Sequence, residues 1–171
     1  MTMTMKTLTT KVKKYDETIA FVVVNGRDSE TGRDIVVTQK DIRKLQLAKA
    51  AIYAGCSILM KKKNVRPEDI DRVYIAGAFG NYIDPANGKA VGIFPDIPGD
   101  RFRLVGNAAI SGAKMALISR EVREDAERLS RWVRYIELGA APDFGSEFTS
   151  AMFLPHKNLE LFSFRKKEFK N

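Results

Sequence analysis

Apolar residues along this chain follow two spacings: short runs of β-branched side chains, and longer stretches in which they recur every three or four positions. Residues 19–24 and 35–37 form two of the short runs and predict strands. A helix is predicted to begin at Gln39, because the Thr38 hydroxyl can cap its first turn and Asp41 places a negative charge there. Its predicted apolar stripe comprises Ile42, Leu45, Ala48, Ile52, Cys56 and Leu59. This helix, the longest that the pattern predicts, should pack against the fold through that stripe.

The second half of the chain repeats a unit in which a strand-like run ends at small residues. The first run is Val73 to Ile75, and the second is Phe102 to Val105. The other predicted elements are a brief helix after Asp84, helices at about 108–119, 121–134 and 142–152, and a short strand at 135–138. The buried side of the 121–134 helix is predicted to comprise Val122, Ala126, Leu129 and Val133. Strands that alternate with helices indicate an α/β fold with a layered, mainly parallel sheet and flanking helices.

Small residues after these two strands are candidate ligand contacts. Gly77 and Gly80 follow the first strand, and Gly106 and Asn107 follow the second. Glycine allows a positive φ and a close approach of backbone to a ligand, and a helix that starts after a strand favours negative charge at its first turn. Neither stretch is a GxGxxG fingerprint or a P-loop. The spacing therefore leaves two interpretations open, a phosphate or nucleotide site and plain tight-turn glycines.

Composition limits the possible chemistry. With 171 residues, the chain is long enough to bury a core as one domain or one large subdomain. Cys56 is its only cysteine, which rules out an intrachain disulfide and the four thiolates of a usual iron–sulfur cluster. The sequence lacks an apolar run of about 18 residues and the apolar core of a signal peptide. We therefore expect a cytoplasmic protein without membrane contact, and any iron–sulfur cluster should lie on another chain.

The charge is basic, with 29 lysines and arginines against 21 acidic residues and a net charge of +8. Basic clusters lie near both chain ends, and Phe162, Phe164 and Phe169 interleave with the second of them. Solvated chain ends are the simpler interpretation, and nucleic-acid binding is the less favoured one. His156 is the only histidine and has no cysteine near it in the sequence. We expect it at the surface, and we predict no metal ligand and no catalytic side chain.

Four segments, in this order, carry a resemblance to a known family: VTQKDIRKLQLAKAAI, DRVYIAGAFGNYIDP, LVGNAAISGAKMAL and YIELGAAPDFGSEFTSAMFLP. Over about residues 19–153 the chain resembles the C-terminal part of the actin-like ATPase domain in reductive activators of corrinoid proteins. Those activators belong to the actin, sugar kinase and heat-shock-70 superfamily, and they use ATP hydrolysis to help re-reduce a cobalt(II) corrinoid to cobalt(I). The resemblance implies an actin-like, ribonuclease H-like lobe at residues 15–155. From their own composition, residues 1–14 are predicted to form a flexible basic arm and residues 156–171 a basic aromatic tail.

The resemblance also implies which residues contact a nucleotide. The segment that resembles the superfamily's adenosine motif contributes Gly77, Ala78, Phe79, Gly80 and Asn81. Gly106 and Asn107 are implied to lie on the same rim of the sheet. On the long helix, the candidates for contact with adenine are Lys40, Arg43, Lys44 and Gln46. The implied cofactor is ATP or ADP with Mg²⁺.

Two parts of the family pattern have no counterpart in this sequence. The family's phosphate loops, of the Asp-Ile-Gly-Thr type, lie upstream of the matching region, and its iron–sulfur module is not matched. We therefore expect little hydrolysis by this chain alone, a partner that is an N-terminal half or an iron–sulfur subunit, and a corrinoid protein as the client. The alternatives are a non-enzymatic interaction module that keeps the fold and, less favoured, a basic nucleic-acid binder. An uncovered apolar face would also favour homo-oligomers.

Overall fold

The computed structural model describes residues 11–15, 18–77 and 82–163. By its internal contacts the chain divides into two compact units, Met1–Ala48 and Lys49–Asn171. The first carries a small sheet and the beginning of a long helix, and the second carries the remainder of that helix and all later elements.

The sheet of the first unit has three strands, β1 (Val12–Tyr15), β2 (Thr18–Val24) and β3 (Ile35–Thr38), in the order β1-β2-β3. Both pairings are antiparallel. The short links between consecutive strands explain this, because a parallel pair needs a crossover of a dozen or more residues. The expected mainly parallel arrangement therefore does not extend to this sheet. Residues 12–14, predicted as part of a flexible arm, form most of β1 instead, and residues 1–10 lie outside the described part of the chain.

Two aspartates fix the approach to β3 and the start of the long helix. Asp34 accepts a hydrogen bond of 2.6 Å from the amide of Gly26 and another from the Tyr15 hydroxyl. At the end of β3, the Asp41 amide donates to the Thr38 hydroxyl at 3.2 Å, and the Thr38 amide donates to the Asp41 carboxylate at 3.0 Å. This reciprocal cap confirms the predicted helix start.

The long helix, α1 (Gln39–Lys63), buries a different face from the predicted one. Its buried residues form two rows with a spacing of four, and these rows are Lys49, Tyr53 and Ser57, and Ala50, Ala54 and Ile58. Leu45, Ile52 and Leu59 of the predicted stripe are 40–44% exposed, so that prediction is wrong. Small side chains at positions 50 and 54 allow neighbouring segments to approach closely, whereas Cys56 and Leu59 line an apolar cleft of about 330 Å³.

After α1 the second unit contains two strands and four helices in its described part. They are β4 (Val73–Ala76), α2 (Pro85–Ala90), β5 (Phe102–Gly106), α3 (Ala108–Ile118), α4 (Arg120–Trp132) and α5 (Phe144–Ala151). Single 3-10 turns occupy Pro67–Asp69, Gly99–Arg101 and Leu159–Leu161. The β4–β5 pair is parallel, with Val73 opposite Phe102 and Ile75 opposite Leu104. Here the predicted strands and their parallel pairing are confirmed.

Two apolar clusters form the core of the second unit. One joins α1 to the C-terminal segment through Ala50, Tyr53, Ala151 and Phe162. The other joins the two parallel strands to the loop before them through Ile75, Ile97 and Phe102. Phe162 is completely buried and lies 6.0 Å from the Tyr53 ring, so it is a core residue rather than part of an exposed aromatic tail.

The α3–α4 pair is largely exposed, since neither helix contains a buried residue. Val122 is half-buried and Ala126, Leu129 and Val133 are exposed, against the prediction of a buried α4 face. Residues 135–138 are irregular, and the predicted strand there is wrong because no described strand lies alongside to pair with it. Within the described residues, no helix is both long and apolar enough to cross a membrane.

Candidate functional site

The carboxyl ends of β4 and β5 bring the two predicted glycine junctions together. Ala76 pairs with Gly106 at the last position of the ladder, so Gly77 follows directly beside it. Gly77 has φ +81° and Gly106 has φ +58°, values that side-chain-bearing residues rarely adopt. Both strands thus end in a backbone turn that favours glycine, and both turns lie at the same edge of the parallel pair.

The space around Gly77 shows whether this glycine is needed for its backbone conformation or for close packing against a neighbour. A Cβ atom built on Gly77 would meet no described heavy atom within 4 Å. The glycine is therefore needed for its φ rather than to make room for a described neighbour. Ala78, Phe79, Gly80 and Asn81, the remainder of the predicted loop, lie outside the described residues.

The start of α3 places two backbone amides, without an acceptor among the described residues, next to this edge. Asn107 is the N-cap, and its side-chain oxygen accepts a hydrogen bond of 3.1 Å from the Ile110 amide. The amides of Ala108 and Ala109 belong to the first turn, where an α-helix supplies no acceptor. Both residues are exposed. An anion beside them would gain N–H donors and the favourable end of the helix dipole.

The four predicted adenine contacts on α1 belong to the first unit, whereas Gly77, Gly106 and Asn107 belong to the second. Lys40, Arg43 and Lys44 are exposed, and Gln46 is half-buried. The charges of the neighbouring lysines contribute, after the Thr38 hydrogen bonds, to a lowered pKa of Asp41. These side chains are thus placed on the first helical turns after the Thr38 cap.

A polar row on α1 was missed by the sequence analysis. Lys49, Tyr53, Ser57 and Lys61 recur every fourth residue and so lie on one face of the helix. The Lys61 ammonium is 2.7 Å from a carboxylate oxygen of Glu147 on α5. Burial opposes ionisation of Glu147, but hydrogen bonds from Lys61 and Ser57 outweigh it and hold the pKa of Glu147 below its usual range. The spacing of four was readable in the sequence, whereas the contact with α5 was not.

Lys49 is a buried cation. Only 1% of its surface is exposed, and its ammonium donates to the Pro155 carbonyl at 2.5 Å. Burial lowers the pKa of Lys49 from 10.5 to about 8. The side chain therefore carries its charge at neutral pH in a poorly solvated place, opposite a carbonyl rather than a carboxylate.

His156 is buried, so the expectation of a surface histidine is wrong. It is only 6% exposed, and its ring centroid lies 5.1 Å from that of Tyr53. The amide of Asn158 donates to Nδ1 at 3.0 Å, which turns this ring nitrogen toward the chain's own backbone. Burial lowers the pKa of His156, and the charges of Lys49 and Lys61 act in the same direction. The imidazole is therefore kept neutral near pH 7.

The residues described here contain no group of three or more His, Cys, Asp or Glu side chains able to hold a metal ion. Cys56 is a free thiol whose pKa is raised by burial, which disfavours the thiolate that metals require.

Comparison with solved structures places the fold in the actin-like ASKHA class. A reductive activator for a corrinoid, iron–sulfur protein superposes with a TM-score of 0.81 and 37% sequence identity, covering 90% of this chain and 24% of that one. This match confirms the predicted fold class. A family model described as the C-terminal domain of RACo, the ASKHA domain, matches residues 1–166. The chain therefore belongs to this family.

Two curated relatives agree with that assignment. The corrinoid activation enzyme RamQ of Eubacterium limosum is 42% identical over 124 residues, which are 72% of this chain and 21% of the relative. A reductase of a methylated amine-specific Co(II) corrinoid protein, from Methanosarcina barkeri, is 26% identical over 102 residues, or 58% of this chain and 18% of the relative. The chain thus spans about a fifth of the length of the curated relatives that it matches.

Proposed function

We propose that this chain is the nucleotide-contacting part of a reductive activator, in which ATP binding and hydrolysis drive the re-reduction of a corrinoid protein. Its relatives are named as activators or reductases of corrinoid proteins. The observation that carries the proposal is the pair of positive-φ glycines, Gly77 and Gly106, at adjacent ends of parallel strands beside the first-turn amides of α3. Ligands of open α/β sheets bind at such carboxyl ends.

In the proposed site, the backbone after β4 passes close to the nucleotide, with residues 78–81 completing the loop. Gly106 and Asn107 line the same rim, and the first-turn amides of α3 orient an anionic part of the ligand. Lys40, Arg43, Lys44 and Gln46 belong to the first unit, and their contact with adenine stays a prediction from the family resemblance. The nucleotide, bound with Mg²⁺, would supply the energy of phosphoryl transfer. Because the family's phosphate loops have no counterpart in this sequence, we expect binding without appreciable hydrolysis by this chain alone.

Calorimetric titration of the 171-residue chain with ADP, with and without Mg²⁺ and with GTP as the comparison, tests this proposal. We expect adenine-selective binding that survives moderate salt. The variant Asn107→Asp keeps a good helix cap but adds a negative charge beside the anion position, and it should weaken ADP binding several-fold. The matched control Ser119→Asp makes the same change in charge at the N-cap of α4 and should leave ADP affinity unchanged. Equal binding by both variants, or no ADP binding at all, contradicts the proposal and favours a non-enzymatic interaction module.

The exposed apolar surface of the α3–α4 pair supports the expectation that this chain binds a protein partner. Leu117, Ile118 and Trp132 are 79–86% exposed, and Tyr135 lies just beyond α4 with similar exposure. Monomeric proteins rarely leave so many large apolar side chains in water. We propose that the remaining part of the activator's ASKHA domain covers this surface. The iron–sulfur part and the corrinoid client would bind the assembled activator.

Trp132 is the only tryptophan, so its fluorescence reports directly on this surface. We expect emission typical of a water-exposed indole from the chain alone and a blue shift when the N-terminal part of an ASKHA domain from a related activator is added. Light scattering in the same samples distinguishes this outcome from self-association. A chain that is already dimeric, with blue-shifted Trp132 and no response to the added part, would show that a second copy covers the surface instead.

A further inference from the structure

A second pocket lies on the polar row of α1, and it shares no residue with the glycine junctions. Its volume is about 560 Å³, and its walls include Tyr53, Ser57, Lys61, Glu147 and His156. This pocket, the α1–α5 pocket, is more polar and better supplied with ionisable groups than the apolar cleft beside Cys56.

The backbone contacts of the His156 ring decide which of its two nitrogens carries the proton. An amide N–H can only donate, so Nδ1 must accept the 3.0 Å bond from the Asn158 amide. A longer contact of 3.3 Å joins Nδ1 to the carbonyl oxygen of Asn158. To be a hydrogen bond, it would need the tautomer with the proton on Nδ1. We assign the proton of the neutral ring to Nε2 because the shorter contact has the better geometry.

His156 Nε2 is then a hydrogen-bond donor without an acceptor. It is the single buried side-chain polar atom that has no partner among the described residues. A buried donor that is left unsatisfied costs roughly 1–3 kcal/mol, which favours any occupant that brings an acceptor oxygen. Tyr53, whose ring lies tilted against the same histidine, lines the pocket wall and brings a hydroxyl that can act as a second donor.

The carboxylates of the pocket wall are already engaged. Glu147 is held by Lys61, and Asp96 accepts a 2.7 Å bond from the Ser163 amide and lies 3.6 Å from the Lys89 ammonium. Lys49, by contrast, is a buried cation that donates a hydrogen bond to the Pro155 carbonyl. Its charge acts on His156, as does that of Lys61, while Glu147 acts in the opposite sense. Both carboxylates of the pocket wall therefore have hydrogen-bond donors, whereas His156 Nε2 has no partner among the described residues, which favours an occupant that brings an acceptor oxygen.

We propose that the α1–α5 pocket binds a small oxyanion, a carboxylate or a phosphate group, whose oxygen accepts a hydrogen bond from His156 Nε2 and a second from the Tyr53 hydroxyl. The site is independent of the nucleotide proposed above. It gives this part of the activator a binding function that does not depend on ATP.

Since His156 is the only histidine, nitrogen NMR of the intact chain reads the site without assignment ambiguity. In the absence of added anion, the spectrum should show the Nε2–H tautomer. Addition of inorganic phosphate or acetate, at constant ionic strength kept with chloride, should move the Nε2 signal saturably and raise the pKa of His156, because a bound anion stabilises the imidazolium. The comparison of phosphate with acetate identifies which oxyanion fits better.

Calorimetry on three variants locates the binding. Tyr53→Phe keeps the ring and removes one donor, so it should weaken the preferred anion several-fold. His156→Asn keeps an acceptor for the Asn158 amide while removing the Nε2 donor, and it should weaken binding at least 10-fold. Lys62→Gln removes one positive charge from the exposed side of α1, outside the pocket, and should bind the anion as the parent chain does.

Three results would overturn the proposal. One is an Nδ1–H tautomer in the NMR spectrum. Another is an Nε2 signal that does not distinguish the anions, either because it responds to chloride as strongly as to phosphate or acetate, or because it responds to no anion at all. The third is equal weakening by Lys62→Gln and Tyr53→Phe, which would show that the anion senses only the net charge of the chain. The NMR readouts use the parent chain, so they decide the matter even if His156→Asn fails to fold.

Discussion

Substitution of Gly92 by alanine tests the packing at the centre of the second unit. Gly92 follows α2 with φ +78°, and a Cβ built on it would lie 2.1 Å from the carbonyl oxygen of Pro155. That oxygen is fixed because it also accepts the Lys49 ammonium. The new methyl group therefore cannot be accommodated by rotation of a flexible side chain, and backbone must move.

The expected loss has two parts. A side chain forced into the left-handed region costs about 1–2 kcal/mol, and overpacking of a close-packed site costs about 1–3 kcal/mol more. Gly92→Ala should therefore lower the free energy of unfolding by about 2–5 kcal/mol, a large fraction of the roughly 5–15 kcal/mol that such domains possess. Two controls separate the parts. Gly77→Ala has φ +81° and open space among the described atoms, so it should show the first part alone, whereas Gly99→Ala has open space and no positive φ and should change little.

Urea denaturation followed by Trp132 fluorescence and by circular dichroism supplies the measurement. The order of stability should be Gly99→Ala, then Gly77→Ala, then Gly92→Ala, with no change in the denaturant slope between the variants. If Gly92→Ala is as stable as Gly77→Ala, the Pro155 carbonyl does not lie against Gly92 and the packing argument fails.

Three further predictions concern single polar side chains. The pKa of Lys49 is about 8 in the folded chain and 10.5 in the unfolded chain, so the unfolded chain holds more protons between these values, and the free energy of unfolding should rise with pH there by at most about 1.4 kcal/mol per pH unit. Lys49→Met should abolish this rise in urea titrations at pH 7.5, 8.5 and 9.5. The same pH dependence in both proteins would contradict the assignment. Arg101→Lys should cost about 1–2 kcal/mol in thermal melts, since one guanidinium nitrogen donates to two carbonyls before β4 at 2.6 and 2.5 Å; an unchanged melting temperature would count against those bonds. Glu147→Gln should lower the free energy of unfolding by about 1 kcal/mol, because its carboxylate lies 2.7 Å from the Lys61 ammonium. Asp143 lies 3.4 Å from the same ammonium and is more exposed, so Asp143→Asn should lower it by less than about 0.5 kcal/mol. The reverse order would refute the pairing.

Features that depend on local chemistry were predictable from the sequence. The strand-like runs of β2, β3, β4 and β5 and the Thr38–Asp41 cap each require only neighbouring residues, and the structure confirms them. The positive φ of Gly77 and Gly106 also follows from local turn chemistry. The binding of a nucleotide at these turns stays a prediction, because it depends on the ligand and on loop residues beyond the described part of the chain.

Features that depend on distant partners were not predictable. The buried face of α1 contains Lys49, Tyr53 and Ser57, which a hydrophobicity pattern assigns to solvent. Residues 135–138 have the composition of a strand but no adjacent strand to pair with, since pairing is decided by tertiary contacts. His156 was expected at the surface because nothing near it in the sequence indicates that Tyr53, more than 100 positions earlier, lies against its ring.

The contact between α1 and the C-terminal segment has a consequence for the order of synthesis and folding. Lys49 and Pro155 are separated by 106 positions, and Phe162 completes the cluster that Tyr53 begins. The helix therefore emerges from the ribosome well before the side chains that cover its buried rows. Closing so long a stretch of chain is entropically slow compared with helix formation. During translation, α1 therefore exposes its buried rows until the segment that contains Pro155 and Phe162 has been made, and a nascent-chain chaperone can bind there in the meantime.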